Sequence, residues 1–318
     1  MCKRLLLFCL IITSLFFNIG CQTLEASSLN KGDNKDYSKQ ELPIANSGGE
    51  GFSLGFYNNN KIVKERTFKL KNKENNFKKK IILGNKTSKE EEFVLLIFDH
   101  AKQINFSIDG KSKRYYIFKT KKDAYKEINV DIKGLSDGFH SISYLILRSP
   151  NKKITNLEQS RAYSQVFSIR VNVLKNINEI PTKNKLIRTN NKISNNEAIS
   201  GVFLGEDNNK YKGKLIQKNS NFKYNLVYGN QWDRDVDFYI VSLLNWEQIN
   251  VSNKTPYIYD KLNPGQEVSV ITTMNKKQLN KDKNIIVSLF LPTPFKDLTP
   301  DNPFVDAGIV SSNRIFIE

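Results

Sequence analysis

Asp233-Arg234-Asp235-Val236-Asp237 places three carboxylates at alternate positions, and Glu90-Glu91-Glu92 is a second acidic run. Alternating aspartates on a tight loop can chelate calcium, which takes roughly six to eight oxygens. Here the run lacks the following glycine and distal glutamate of a helix-loop-helix calcium site, and Arg234 interrupts it. Asp233, Asp235 and Asp237 are therefore weak metal candidates, and a solvated charged loop is the expectation. The same carboxylates are the candidates for a wall-glycan-acting enzyme. That chemistry needs two carboxyl groups facing each other across a cleft, and no cleft is apparent in the sequence pattern. The only histidines are His100 and His140. All three cysteines, Cys2, Cys9 and Cys21, fall in the first 21 residues, which excludes a Cys/His zinc site, a disulfide-stapled body and a cysteine nucleophile. No nucleophile elbow, phosphate loop, zinc-protease motif or dinucleotide fingerprint occurs. The expectation is a protein that is not an enzyme and carries no cofactor.

Binding chemistry is better represented. Trp232 precedes the acidic run, and Pro292-Thr293-Pro294-Phe295, Pro300 and Pro303-Phe304 form a long proline-rich connection. Aromatics on proline-stiffened loops bind sugar rings, peptides or protein surfaces at low ordering cost. Trp232, Phe295 and Phe304 are thus the ligand-binding candidates. The competing expectation is that both phenylalanines tuck onto the fold while Trp232 plugs its open end.

The elements that must position these residues are strands. Phe77–Leu83, Glu92–Phe98, Gln103–Ile108, Tyr115–Phe118, Tyr125–Ile132, Ser141–Leu147 and Tyr163–Val173 are short β-branched and aromatic runs separated by Asn, Gly, Lys and Asp. Glu127-Ile128-Asn129-Val130-Asp131-Ile132 alternates as a strand with one wet face should. Ile108-Asp109-Gly110 supplies a hairpin turn. The fold class expected is all-β, as antiparallel sandwiches, with no long amphipathic helix.

The pattern is duplicated. At an offset of 145, residues 70–106 align without gaps on 215–251 with 11 identities in 37 positions, enough to mark an internal repeat. Matched positions include Asn76/Asn221, Phe77/Phe222, Gly84/Gly229, Asn85/Asn230, Phe93/Phe238 and Gln103/Gln248. With small gaps, Gly51, Leu54 and Gly55 face Gly201, Leu204 and Gly205. Tyr116-Ile117-Phe118 faces Tyr257-Ile258-Tyr259, Leu145-Ile146-Leu147 faces Leu289-Phe290-Leu291, and Ser164–Phe167 faces Ser312–Ile315. His100 faces Asn245 and His140 faces Asn284, which favours a hydrogen-bonding or packing role over general-base duty. Trp246 faces Ala101 and reads as packing. The organisation expected is one β-sandwich over 48–174, a polar linker over 175–196 and a second sandwich over 197–318. Each unit resembles an immunoglobulin-like domain of the broad bacterial class, with Leu135–His140 as the corner entering the sixth strand. The antibody-type Cys pair and its Trp are absent.

The N-terminus reads as an address. Lys3 and Arg4 precede the uncharged run Leu5–Phe17, whose 13 residues reach about 20 Å as a helix, short of the ~30 Å hydrocarbon core. Gly20-Cys21 resembles the end of a bacterial lipobox, although Asn18 stands where an apolar residue is usual. The resemblance implies a signal peptide over 1–20, lipid attachment at Cys21 and a flexible lipid-anchored tether over 21–47. Removing Lys3 and Arg4 would take the net charge from +17 to +15. Such a balance suits an anionic wall polymer or lipid headgroups. Lys and Asn abundance is equally what an AT-rich genome would produce. Export, and a basic set of 40 Lys and only 9 Arg, argue against nucleic acid. The function expected is a lipoprotein on the outer face of the cell membrane whose two modules bind a protein, peptide or anionic envelope polymer. The alternatives are a structural subunit docked on a membrane complex and the wall-glycan enzyme.

Overall fold

A computed structural model describes residues 50–71, 74–182, 192–194, 198–205, 214–215, 221–251, 255–280, 284–303 and 307–317. The expected signal peptide over 1–20, Cys21, the expected tether over 21–47 and Phe304 lie outside these residues. The fold is all-β, built as two antiparallel sandwiches.

In the first half the strands are β1 (Gly51–Asn58), β2 (Lys61–Ile62), β3 (Thr67–Leu70), β4 (Asn76–Lys86), β5 (Glu91–Asp99), β6 (Lys102–Gln103), β7 (Phe106–Ile108), β8 (Lys111–Lys113), β9 (Tyr115–Thr120), β10 (Ala124–Lys133), β11 (Gly138–Arg148) and β12 (Val166–Lys175). One sheet has the order β2-β1-β4-β10-β7-β8, and the facing sheet has β3-β12-β11-β5-β6, with β9 also on β5. The pairing of β3 with β12 is parallel and the rest are antiparallel, which is the immunoglobulin-like arrangement. The alternating strand β10 behaves as its pattern requires. Ile128, Val130 and Ile132 enter the core, while Asn129 and Asp131 lie on the other face. The expected strand Tyr163–Val173 starts only at Val166, because Leu157–Ala162 forms a helical turn, α1, whose first turn is capped by Asn156 Oδ1 accepting from Gln159 N–H at 2.9 Å.

The second half repeats the plan with β13 (Lys192–Ser194), β14 (Gly201–Gly205), β15 (Lys214–Leu215), β16 (Asn221–Asn230), β17 (Val236–Leu244), β18 (Glu247–Ile249), β19 (Ile258–Leu262), β20 (Gln266–Asn275), β21 (Asn284–Pro292), β22 (Val310–Ser311) and β23 (Ile315–Ile317). Its sheets are β13-β20-β16-β14 and β15-β23-β21-β17-β18, with β19 on β17 and β22 on β21. The segment 175–196 is shared between the halves, since Lys175 ends β12 and Lys192–Ser194 pairs with β20.

Strand register corrects three of the sequence alignments. Leu96 pairs with Tyr115 and Ile240 with Ile258, so Tyr115, not Tyr116, corresponds to Tyr257. A one-residue slip exchanges faces: Tyr115 and Ile117 border the same apolar cluster as Tyr257 and Tyr259, whereas Tyr116 and Phe118 belong to the first core. Ile142 pairs with Val171 and Ile286 with Ile315, so Arg314 corresponds to Arg170 and the Ser164–Phe167 match is displaced by four positions. Leu54 pairs with Leu83 and Val202 with Tyr228, so Leu54 corresponds to Val202 rather than Leu204, a two-residue shift that keeps the same face.

The two halves form one compact unit. In β5, Phe93, Leu95 and Ile97 face the first core, and Val94, Leu96 and Phe98 face the second half. In β17, Phe238 and Ile240 face the second core, and Tyr239, Val241 and Leu243 face the first half. With Leu145, Leu147, Trp246, Leu289 and Leu291 they make a third buried cluster between the sandwiches. Each fully buried leucine contributes roughly 1.5–3 kcal/mol, so this shared layer holds the halves as firmly as a core holds one domain.

Gly229 shows how tightly the edges close. A Cβ there would lie 2.5 Å from the Ile199 carbonyl oxygen, whereas one at Gly51 would meet nothing within 4 Å. Gly229→Ala is expected to cost about 1–3 kcal/mol in urea denaturation through forced backbone displacement, and Gly51→Ala to leave the midpoint nearly unchanged. Equal midpoints for the two variants would contradict the packing described.

Candidate functional site

The outer face of the first sandwich carries a polar trough of about 570 Å³. Its floor comes from adjacent strands, with Lys78 and Lys80 on β4 beside Asn129 and Asp131 on β10. Two hairpin turns wall it. Asn58–Asn60 joins β1 to β2, with Asn59 at φ 55°, and Asp109-Gly110 joins β7 to β8 at φ 50° and 77°. The left-handed pair at Asp109-Gly110 is what a two-residue hairpin demands, and glycine adopts it without a Cβ penalty. Lys80 Nζ lies 3.2 Å from Asn60 Oδ1 and 3.5 Å from Glu127 Oε2. Asp131 Oδ2 lies 3.9 Å from Lys133 Nζ, while its Oδ1 is buried without a hydrogen-bond partner. Lys79 turns its ammonium over the Phe68 ring, 4.4 Å from the centroid, and burial lowers its pKa. The trough thus offers carboxamides, ammonium groups and carboxylates. Neither histidine nor cysteine lines it, so it has the means to hydrogen-bond a ligand without an evident nucleophile–base pair.

The candidates read from sequence are dispersed. Asp233 is exposed beside Arg234 Nε at 2.7 Å, and that hydrogen bond and charge hold it below the usual carboxylate range. Asp235 pairs with Lys261 at 2.7 Å. Asp237 is buried and accepts from the Tyr259 hydroxyl at 3.0 Å. The three do not converge, and among the described residues no set of three His, Cys, Asp or Glu could hold a metal. Trp232 is half-buried with its ring centroid 5.4 Å from Phe290, at the rim of the second core. Phe295 lies elsewhere, against His100 at 5.3 Å and Tyr259 at 5.8 Å between the halves. Trp246 is buried in the shared cluster. The proline-rich connection docks on the first half: Asn172 Nδ2 donates to Lys296 O at 3.1 Å, and Thr67 Oγ1 donates to Asp297 Oδ1 at 3.0 Å. Sequence reasoning missed the trough because its parts come from four elements. Its one local signal is the Ile108-Asp109-Gly110 turn.

The histidines build corners. His140 Nε2 faces the Ser136 carbonyl at 2.8 Å, and Asn284 Nδ2 donates to the Asn280 carbonyl at 2.9 Å in the equivalent place. His140 Nδ1 also faces Asp99 Oδ2 at 2.6 Å. Burial disfavours the charged ring, but Asp99 and the Ser136 carbonyl outweigh it and raise the His140 pKa. His100, packed edge-on to Phe139 and Tyr239 and tilted against Phe295, has its pKa lowered by burial, against an opposing pull from Asp99. The two therefore act in opposite directions. Stabilisation from His140 is full below its unfolded value, about 6.5, and fades as pH rises through the raised folded value. His100 costs stability as pH falls below about 6.5, because the fold prefers its neutral ring. Melting temperatures across pH should show His140→Asn removing the alkaline-side loss and His100→Asn the acid-side loss. Asparagine is the residue that the other half carries at both positions. Identical pH profiles in all three proteins would refute these assignments.

Fold and site together define a two-module immunoglobulin-like protein with a polar surface trough. No family model matches the chain, and no curated protein matches it. Among solved structures, the chain is similar to red sea bream transglutaminase at 10% identity and a TM-score of 0.22, covering 84% of this chain and 31% of that one. It is also similar to the E. coli chaperone DraB at 8% identity and a TM-score of 0.25, covering 85% of this chain and 96% of that one. The chain thus spans about a third of the transglutaminase, and neither likeness is close enough to transfer a function.

Proposed function

We propose that the chain is a non-enzymatic envelope lipoprotein, held at the outer face of the cell membrane by lipid on Cys21, whose paired modules bind an anionic envelope polymer through the trough of the first sandwich. The observation that carries the reading is the division of surfaces. Each sandwich spends one sheet on the other half, so the opposite sheets remain for ligands, and the outer sheet of the first half holds the trough. Lys78 and Lys80 on its floor suit an anionic chain, and the carboxamides of Asn58–Asn60 suit its hydroxyl and ester oxygens. The charge of +15 left once Lys3 and Arg4 are removed from the +17 of the whole sequence favours encounter with such a polymer.

Titration of the purified full-length protein with a soluble phosphodiester wall polymer tests this. Binding should weaken with added salt, and Lys78→Glu with Lys80→Glu should weaken it about tenfold or more. Lys64→Glu, away from the trough, should change it little. Equal affinity of the trough variant and the parent, or no binding by the parent, would overturn the reading. A stoichiometric protein complex that survives high salt would favour a docked assembly subunit.

A further inference from the structure

The pairing of the halves is reciprocal at the level of single atoms. Gln103 N–H donates to Gln248 Oε1 at 2.8 Å, and Gln248 N–H donates to Gln103 Oε1 at 2.8 Å. Gln103 Nε2 donates to Trp246 O at 2.8 Å and Gln248 Nε2 donates to Ala101 O at 2.7 Å, the two acceptors being repeat counterparts. Arg314 donates to the carbonyls of Arg148 and Ser149 at 3.0 and 2.8 Å. Its counterpart Arg170 donates to the carbonyls of Pro292 and Thr293, the residues equivalent to Arg148 and Ser149. Ser149 and Thr293 both stand in the left-handed region, at φ 51° and 49°.

Residue i meeting j while j meets i is the signature of an isologous interface, the kind formed by two copies of one surface around a two-fold axis. A pair of domains fused to meet through unrelated surfaces has no reason to use the same residue twice for the same job. Gln103/Gln248 and Arg170/Arg314 have stayed identical: each glutamine also donates to a carbonyl of its own half, Arg114 O at 3.2 Å and Pro256 O at 3.1 Å, whereas both arginines donate to carbonyls across the pair. We infer that the sheet β3-β12-β11-β5-β6 is a self-recognising surface whose partner is a second copy of the same domain, and that the chain is a homodimer joined into one polypeptide. Gln103 and Gln248 lie beside the pseudo-two-fold axis. The counterparts Ala101 and Trp246, both in the shared cluster, have since diverged in size.

The test is made on the full-length protein with a protease site placed within 183–191 and cleaved. The two fragments should stay together as one species at about 1 μM. Native mass spectrometry after mixing with isotope-labelled cleaved protein reads the exchange rate. Gln103→Ala and Gln248→Ala should each speed exchange at least tenfold, and by similar factors, because each leaves an equivalent N–H and carbonyl unpaired. Pairs of two first halves or of two second halves should appear as minor species when exchange is complete. Separation of the parent fragments, acceleration by only one of the two variants or by neither, or complete absence of like pairs would each overturn the inference. Circular dichroism of each variant confirms that the sandwiches are intact.

Discussion

Arg314→Met should destabilise the protein by about 2–4 kcal/mol. Arg314 is fully buried, and among the described residues no carboxylate pairs with it. Burial lowers its pKa, and the compensation comes from backbone carbonyls. Its guanidinium donates to Ser149 O, Arg148 O and Tyr163 O and lies 4.9 Å from the Trp246 ring. Methionine fills much of the volume but donates nothing. Three part-buried acceptors would lose partners, at about 1 kcal/mol each and more where water is kept out. Removing the charge also relieves the burial cost that lowers the arginine's pKa, which offsets part of that loss. Arg234 provides the contrast: it is exposed, beside Asp233, and Arg234→Met should shift stability by less than about 1 kcal/mol. Urea denaturation of both variants decides the matter, and a loss below about 1 kcal/mol for Arg314→Met would mean that the carbonyls find other partners.

The importance of Arg314 was not apparent in the sequence, though the layer around it left a trace. Phe93–Phe98 and Ile285–Leu291 are nearly continuous apolar runs, whereas Glu127–Ile132 alternates. A free-standing sandwich should alternate in every strand. A strand without a polar face is covered on both sides, and here the second cover is the other half. The duplication and the all-strand fold were legible because turn residues and strand composition act locally. The pairing was not, because nothing local distinguishes a polar residue that bonds across an interface from one that bonds to water. Gln103/Gln248 was visible as a repeat identity without a role. Asn85/Asn230 was another, and the structure supplies its role. Each amide fastens the loop that follows its strand, donating to Lys89 O and Thr120 O in one half and to Arg234 O and Leu262 O in the other. The acidic run that suggested metal binding is that fastened loop.

Cys21→Ser should abolish membrane anchoring on the proposed reading. The apolar run Leu5–Phe17 is too short for a stable span, and among the described residues no helix is long and apolar enough to cross a membrane. Anchoring then falls to acyl chains on Cys21, at about 0.8 kcal/mol for each buried CH₂. A serine hydroxyl lacks the thiolate nucleophile that lipid transfer requires. The variant should therefore appear as an unprocessed precursor or be released, with a mass that lacks the lipid. The basic charge complicates a simple fractionation, because a protein near +15 can cling to anionic surfaces without lipid. Salt separates the two. Surface attraction is screened within about 8 Å at physiological ionic strength and weakens further as salt rises, whereas buried acyl chains do not respond. The parent protein should stay in the membrane fraction through a high-salt wash, and processed Cys21→Ser protein should leave it. Unchanged mass and salt-resistant retention of the variant would move the anchor from Cys21 to an uncleaved N-terminal segment.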